Sequence, residues 1–159
     1  MQTNKYLWND EDFDNMSWHD CKVYGIGFDN ENYKLIFDID YILEWVKPEK
    51  DNIYFKFWVA PSTLVFENVY DLDINLSIFG GFEIDKVFRS EPKEPRNKEY
   101  INRNIEWSWY ISSNQGDITF KSVGYTQFIR RKPILTGEQS LGLTARGGIS
   151  FNEESYTKL

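Results

Sequence analysis

Polar and apolar positions alternate along most of this chain, most cleanly from Tyr33 to Ile42. Tyr33, Leu35, Phe37, Ile39 and Tyr41 fall on one side of an extended backbone; Lys34, Asp38 and Asp40, with Ile36 and Ile42, fall on the other. Side chains on a strand point alternately to its two faces, so this is the pattern of a half-buried strand. His19 to Phe28 alternates more weakly, and Asp29-Asn30-Glu31-Asn32 separates the two runs. Asp and Asn accept tight turn geometry, which predicts a hairpin here.

Further strands follow. Ile53 to Ala60 places Ile53, Phe55, Phe57 and Val59 inward, and Pro61-Ser62 is expected to break it. From Thr63 to Leu76 the even positions are apolar apart from Asn68, while Glu67, Asp71 and Asp73 occupy the odd face. Gly80-Gly81 lies between Ile78-Phe79 and Phe82-Glu83-Ile84 and predicts a hairpin turn, because paired glycines take positive φ without steric cost. Ile105 to Ile111 aligns Ile105, Trp107, Trp109 and Ile111; Ile118 to Val123 and Gly124 to Arg131 complete the series. No segment carries sustained helical periodicity, and no internal repeat is visible. About seven to nine short antiparallel strands imply an all-β fold with little helix, either a β-sandwich or a strongly curved barrel.

Length and composition set the frame around that body. The 159 residues fit a single domain, with a polar N-terminal arm over 1–16, a β body over 17–133 and a C-terminal segment over 134–159 whose end frays. Trp8, Phe13 and Met16 of the arm are expected to dock a loose turn or short helix onto the body. Ser90 to Lys98, with two prolines and dense charge, reads as a surface loop. Aromatic residues make up 18% of the chain, enough to dominate a small core. The single cysteine excludes an internal disulfide, no segment approaches the roughly 20 apolar residues that span a bilayer, and the N-terminus carries no secretory pattern. A soluble, cytoplasmic protein without membrane contact is the expectation.

The net charge of −7 is uneven: residues 1–90 hold 17 acids against 8 bases. Such a surface repels the phosphates of nucleic acid and suits a basic protein partner.

Chemistry-bearing residues form three constellations. The only histidine and the only cysteine stand together in Ser17-Trp18-His19-Asp20-Cys21. On a strand, His19 and Cys21 would share a side as a potential base and nucleophile, with Asp20 turned away. In a hairpin centred near residues 30–31, Asp40 then becomes the diagonal neighbour of His19 and the acid expected to hold it. The second constellation is acidic, with Asp38 and Asp40 on one strand and Glu67, Asp71 and Asp73 on another. Paired carboxylates serve glycoside cleavage or cation binding, but also form ordinary solvated faces. The third is Trp107-Ser108-Trp109-Tyr110, whose indoles could stack on sugars or pack in a core. Phosphate-cradling glycine motifs and a nucleophile elbow are absent, and no metal or other cofactor is implied.

Ser17-Trp18-His19-Asp20-Cys21, Phe37-Asp38-Ile39-Asp40-Tyr41-Ile42 and the run from Ala60 to Val69 resemble small bacterial proteins, among them immunity proteins of bacterial toxin systems. The resemblance covers roughly residues 8–75 and the Arg146-Gly147-Gly148 tail. It implies a cytoplasmic bacterial protein that plugs a toxin by surface complementarity, and it carries over no catalytic residue. The reading that follows is a non-enzymatic, protein-binding domain with its binding surface among His19, Asp20, Asp38, Asp40, Glu67, Asp71 and Asp73. A carbohydrate-binding or glycoside-cleaving sandwich and a hydrolase built on His19 and Cys21 are the alternatives.

Overall fold

The computed structural model describes residues 5–157. Ten strands among them join into one antiparallel sheet: β1 (Leu7–Asn9), β2 (Cys21–Asp29), β3 (Lys34–Val46), β4 (Lys56–Glu67), β5 (Tyr70–Leu76), β6 (Glu83–Lys93), β7 (Glu106–Ser113), β8 (Gly116–Ser122), β9 (Gly124–Ile129) and β10 (Ile134–Thr136). Their spatial order is β1-β9-β4-β3-β2-β6-β7-β8-β5, with β10 lying against β4. The sheet is strongly curved. Phe66 of β4 reaches Trp109 of β7 and Phe120 of β8 at ring separations of 5.1 and 4.7 Å, although three strands separate β4 from β7 in the ladder. Curling brings the two halves face to face over a shared aromatic core, the sandwich-like solution by which an antiparallel sheet buries one side.

The β2–β3 hairpin forms where the alternation places it, with Lys22 opposite Asp40 and Phe28 opposite Leu35. Leu35, Phe37 and Ile39 are fully buried, and Tyr41 nearly so. The N-terminal arm contributes β1 and a 3-10 turn over Asp10–Asn15, capped by Asn9 and Asp12; Trp8, Phe13 and Met16 pack against the core. The three-residue strands β1 and β10 take the count past nine.

Several local expectations are corrected. Pro61 does not end a strand, since β4 runs straight through it. Its carbonyl accepts from Arg130 N at 3.0 Å, on the side where β4 passes from its β10 partner (57–59) to its β9 partner (62–67). A strand residue's N–H and C=O face the same neighbour, so the proline forgoes only the donor half of its pairing with Arg130, just past the end of β9 where the ladder stops. Ile53 to Phe55 precede β4 as exposed loop. Asn68, at φ 52, ends β4, and the chain turns to pair β5 with β8 instead of continuing. Gly80-Gly81 is not a hairpin turn. Gly80 does take φ 79, but β5 pairs with β8 whereas β6 pairs with β2 and β7, so the glycines sit in a crossover.

The C-terminal segment is anchored through Tyr156. Tyr156 N donates to Ile129 O at 2.7 Å, its ring meets Tyr6 edge-on, and Glu153 pairs with Lys34 at 2.9 Å. Periodicity does not reveal such an attachment because the segment docks through single contacts on the sheet, not as a ladder. The expected fraying over 152–159 is therefore corrected up to Tyr156; 158–159 lie outside the described residues. No helix among the described residues is long and apolar enough to cross a membrane.

Candidate functional site

The outer face of β2, β3 and β4 is where the structure departs most from a solvated strand surface. Asp38 and Asp40 project from it and are completely buried. The cover is the segment after β10, with its short helical turn α1 (Leu143–Arg146) closed by Gly147 in the left-handed conformation. Gly25 and Gly27 leave the room this cover needs: a Cβ on Gly25 would stand 3.0 Å from the Phe151 ring.

Arg146 is the centre of the cover, with its side chain fully enclosed. Its Nε donates to Asp40 Oδ1 at 3.0 Å, Nη1 to Asp38 Oδ2 at 2.8 Å and Nη2 to Asp38 Oδ1 at 2.6 Å. Nη1 and Nη2 also reach the Gly148 and Ile39 carbonyls, and the Tyr24 ring lies 3.9 Å from the guanidinium carbon. The remaining carboxylate capacity is taken by Arg130 Nη2 and Ser150 N on Asp38 and by Leu141 N on Asp40. Burial works against the Arg146 charge, but the bonds to Asp38 and Asp40 outweigh it and hold the guanidinium's pKa above the ordinary arginine value. Two carboxylates satisfied in this way have no lone pair directed at solvent and are not poised for acid–base work or cation binding. They hold the tail to the sheet.

Asp40 consequently does not hold His19. The ladder stops at Cys21, and Asp20, at φ 61, breaks the extended geometry that would have turned it away from His19. His19 Nε2 lies 3.5 Å from Asp20 Oδ2, while Nδ1 is 3.1 Å from the Asp85 carbonyl oxygen and 3.3 Å from its carboxylate. The imidazole stacks on Trp45 at 6.0 Å. Asp20 also accepts from Gln139 Nε2 at 2.9 Å.

Cys21 lies on the opposite side of the chemistry expected for a nucleophile. It is fully buried in the core, and burial pushes its thiol up to about 12. The thiolate is the reactive species, so the native thiol is inert at neutral pH. The unfolded chain releases this proton near 9.0 and the folded chain only near 12, so Cys21 favours folding fully below that window and loses the contribution as pH rises through it. Two outcomes are expected. A thiol-specific disulfide reagent labels Cys21 at pH 8 only as fast as the chain unfolds. In Cys21→Ala, alkaline destabilisation within the window is shallower by about 1.4 kcal/mol per pH unit, read by urea titration.

The acids after β4 disperse. Glu67 stands 3.9 Å from Arg103, and Asp71, itself at positive φ (54), pairs with Arg96, whose hydrogen bond holds its carboxyl below the usual range. Asp73 is exposed and makes no ion pair among the described residues. The β5 register shift between Tyr70 and Asp73 removes the shared face. The two indoles also separate: Trp109 is a core residue at 1% exposure, whereas Trp107 lies half-buried under the Arg89 guanidinium. They form no common platform.

An exposed apolar patch stands beside His19. Trp45, near the end of β3, meets Phe55 at 6.0 Å and Phe57 at 5.0 Å, both edge-on. The loop entering β4 is pinned by Tyr54 N donating to Asn52 Oδ1 at 3.1 Å, and it presents Ile53 at 80% and Tyr54 at 72% exposure. A groove of about 470 Å³ runs between this loop and Gly137. Sequence alternation assigned Ile53 and Phe55 to the core. The signal against that was the polar run from Lys47 to Asn52, too long for a tight hairpin to deliver the next residue in register. Comparison of the chain with protein-family models, with curated proteins and with solved structures found no match.

Proposed function

We propose that this protein is a non-enzymatic, protein-binding domain and that it docks its partner on the patch formed by Trp45, Ile53, Tyr54 and Phe55. The observation that carries this reading is the loop that holds Ile53 and Tyr54 out in water. Each such side chain gains about 1.5–3 kcal/mol when a partner covers it, and aromatic anchors of this kind dominate interface energetics. Asp20 and Asp85 stand beside His19, which stacks on Trp45, and the chain as a whole is strongly acidic. The partner is accordingly a protein that offers an apolar side chain flanked by lysine or arginine. An acidic immunity-type inhibitor acting on a basic bacterial toxin in the cytoplasm fits this description. The enclosed Cys21 and the neutralised Asp38–Asp40 pair support a role without catalysis.

The test is co-expression with the product of the adjacent gene. A one-to-one complex is expected on size exclusion. Tyr54→Ala or Trp45→Ala should weaken it about 30-fold, read by calorimetry, and association should slow as salt is raised. Absence of a complex, or variants that bind like the parent chain, removes the proposal.

A further inference from the structure

At the β1–β9 end of the sheet lies a second concavity, remote in sequence from the aromatic patch. It encloses about 620 Å³ and is walled by Asp10, Glu11, Arg89, Arg103, Ile105 and Trp107, with Tyr125 also lining it. That volume is within the range of small-molecule sites.

The two arginines differ. Arg103 is matched: its Nη2 contacts both Asp10 oxygens at 3.0 Å and donates to the Val123 carbonyl at 2.8 Å. Arg89 is not. Its guanidinium carbon sits 4.3 Å from the Phe13 ring and 4.3 Å from the Trp107 ring. Its hydrogen bond is a long one, from Nη1 to the Asp10 carbonyl at 3.4 Å, and no carboxylate pairs with it among the described residues. A guanidinium has five N–H donors in a rigid plane, and contact with two rings restricts their direction before any ligand arrives. A half-buried, preoriented arginine with unused donors matches the planar fork of a carboxylate.

We infer that this cleft binds a monocarboxylate bearing a flat apolar body, with Arg89 gripping the carboxylate and Trp107 and Ile105 receiving the body. Ile105 is 48% exposed and Trp107 half-buried, so both have apolar surface left to cover. The charge of the ligand follows from the walls. Arg89 has no carboxylate partner among the described residues, Asp10 is paired with Arg103, and Glu11 lines the same space. The first negative charge of a ligand meets Arg89, whereas the second charge of a dianion such as a phosphate monoester has no free arginine to meet and is opposed by Glu11. The site is independent of the proposed docking patch, and either can fail without the other.

The experiment titrates the full chain with phenylacetate, phenylacetamide and phenyl phosphate, following the Arg89 Nε–H and Trp107 indole N–H signals by NMR. Phenylacetate should give saturable shifts at both groups with a Kd of about 1 mM or below. The neutral amide should bind at least about tenfold more weakly, as should Arg89→Gln with phenylacetate. Glu11 is exposed and its side chain has no partner among the described residues, so Glu11→Gln keeps the fold and should tighten phenylacetate about threefold by removing a like charge. The inference is overturned if phenylacetate does not saturate, if the amide binds equally, if phenyl phosphate binds more tightly, or if Glu11→Gln leaves affinity unchanged. That last variant decides the matter even where Arg89→Gln does not fold.

Discussion

Replacing Arg146 with methionine should lower the unfolding free energy by about 3–5 kcal/mol, because it strands the enclosed Asp40 without its counter-charge and leaves the enclosed Asp38 with Arg130 alone. Among the described residues Arg146 alone bridges Asp38 and Asp40, and it supplies four of the hydrogen bonds that tie the tail to β3. Lysine does not replace it, since a point charge cannot bond both carboxylates with the geometry of the guanidinium fork. Arg130→Met should cost less, because Asp38 keeps its two bonds from Arg146 when Arg130 Nη2 is lost. Urea denaturation at pH 7 reads both. The mechanism has its own control in a double-mutant cycle. Asp40→Asn in the Arg146→Met background should cost less than Asp40→Asn in the parent chain, since the charge it removes is already unpaired there. Equal costs in the two backgrounds would show that Arg146 acts by filling space and not by its charge.

Phe66→Ala is expected to cost about 3–5 kcal/mol through a different route, the loss of a buried ring and the cavity it leaves. Phe66 is fully buried where the two halves of the curved sheet meet. Its ring packs on Phe37 from the adjacent strand, Trp109 and Phe120 from the facing half, and Tyr125 from β9, at centroid separations of 6.1, 5.1, 4.7 and 5.8 Å. Few neighbours can collapse into the gap, because each ring is held by a different strand. Phe66→Leu keeps most of the volume and should cost markedly less. A denaturation series in which alanine and leucine cost the same would refute the assignment of Phe66 as the hub of the core. Phe88→Ala provides a surface reference, since that ring is 43% exposed and meets Tyr110 on the outside of the sheet.

The expectations that held and those that failed divide along a physical line. The β2–β3 hairpin was legible because its alternation and its turn residues are local, and nothing distant competes with them. The inward face of β3 was legible for the same reason. The outward face was misread as solvated because Asp38, Asp40 and Lys34 resemble a water-facing row. The clue that contradicted this was Ile36 and Ile42 on that same face, both of which are buried in the structure. A face carrying both apolar side chains and acids is one awaiting a cover with its own cation, and the cover comes from more than a hundred residues further along the chain. His19 was misassigned to Asp40 through a strand rule extended two residues beyond the strand's end, past a left-handed Asp20 that the rule does not admit. Pro61 was read as a breaker because a proline's tolerance depends on which partner strand faces its nitrogen, and pairing is not written in the local sequence.

The sequence by itself determined that this is an all-β protein, because period-two alternation and turn chemistry are properties of neighbouring residues. It also determined the acidity of the N-terminal half and the rarity of histidine and cysteine, which narrow the chemistry. Tertiary structure alone decided which acids are free and which are spent, since a carboxylate's role depends on the charge that folds onto it. It decided that Cys21 is enclosed and Ile53 and Tyr54 are presented, since burial is a property of the curvature of the whole sheet. It placed Arg89 against two rings from separate elements, without a carboxylate partner among the described residues, which no pattern along the chain encodes.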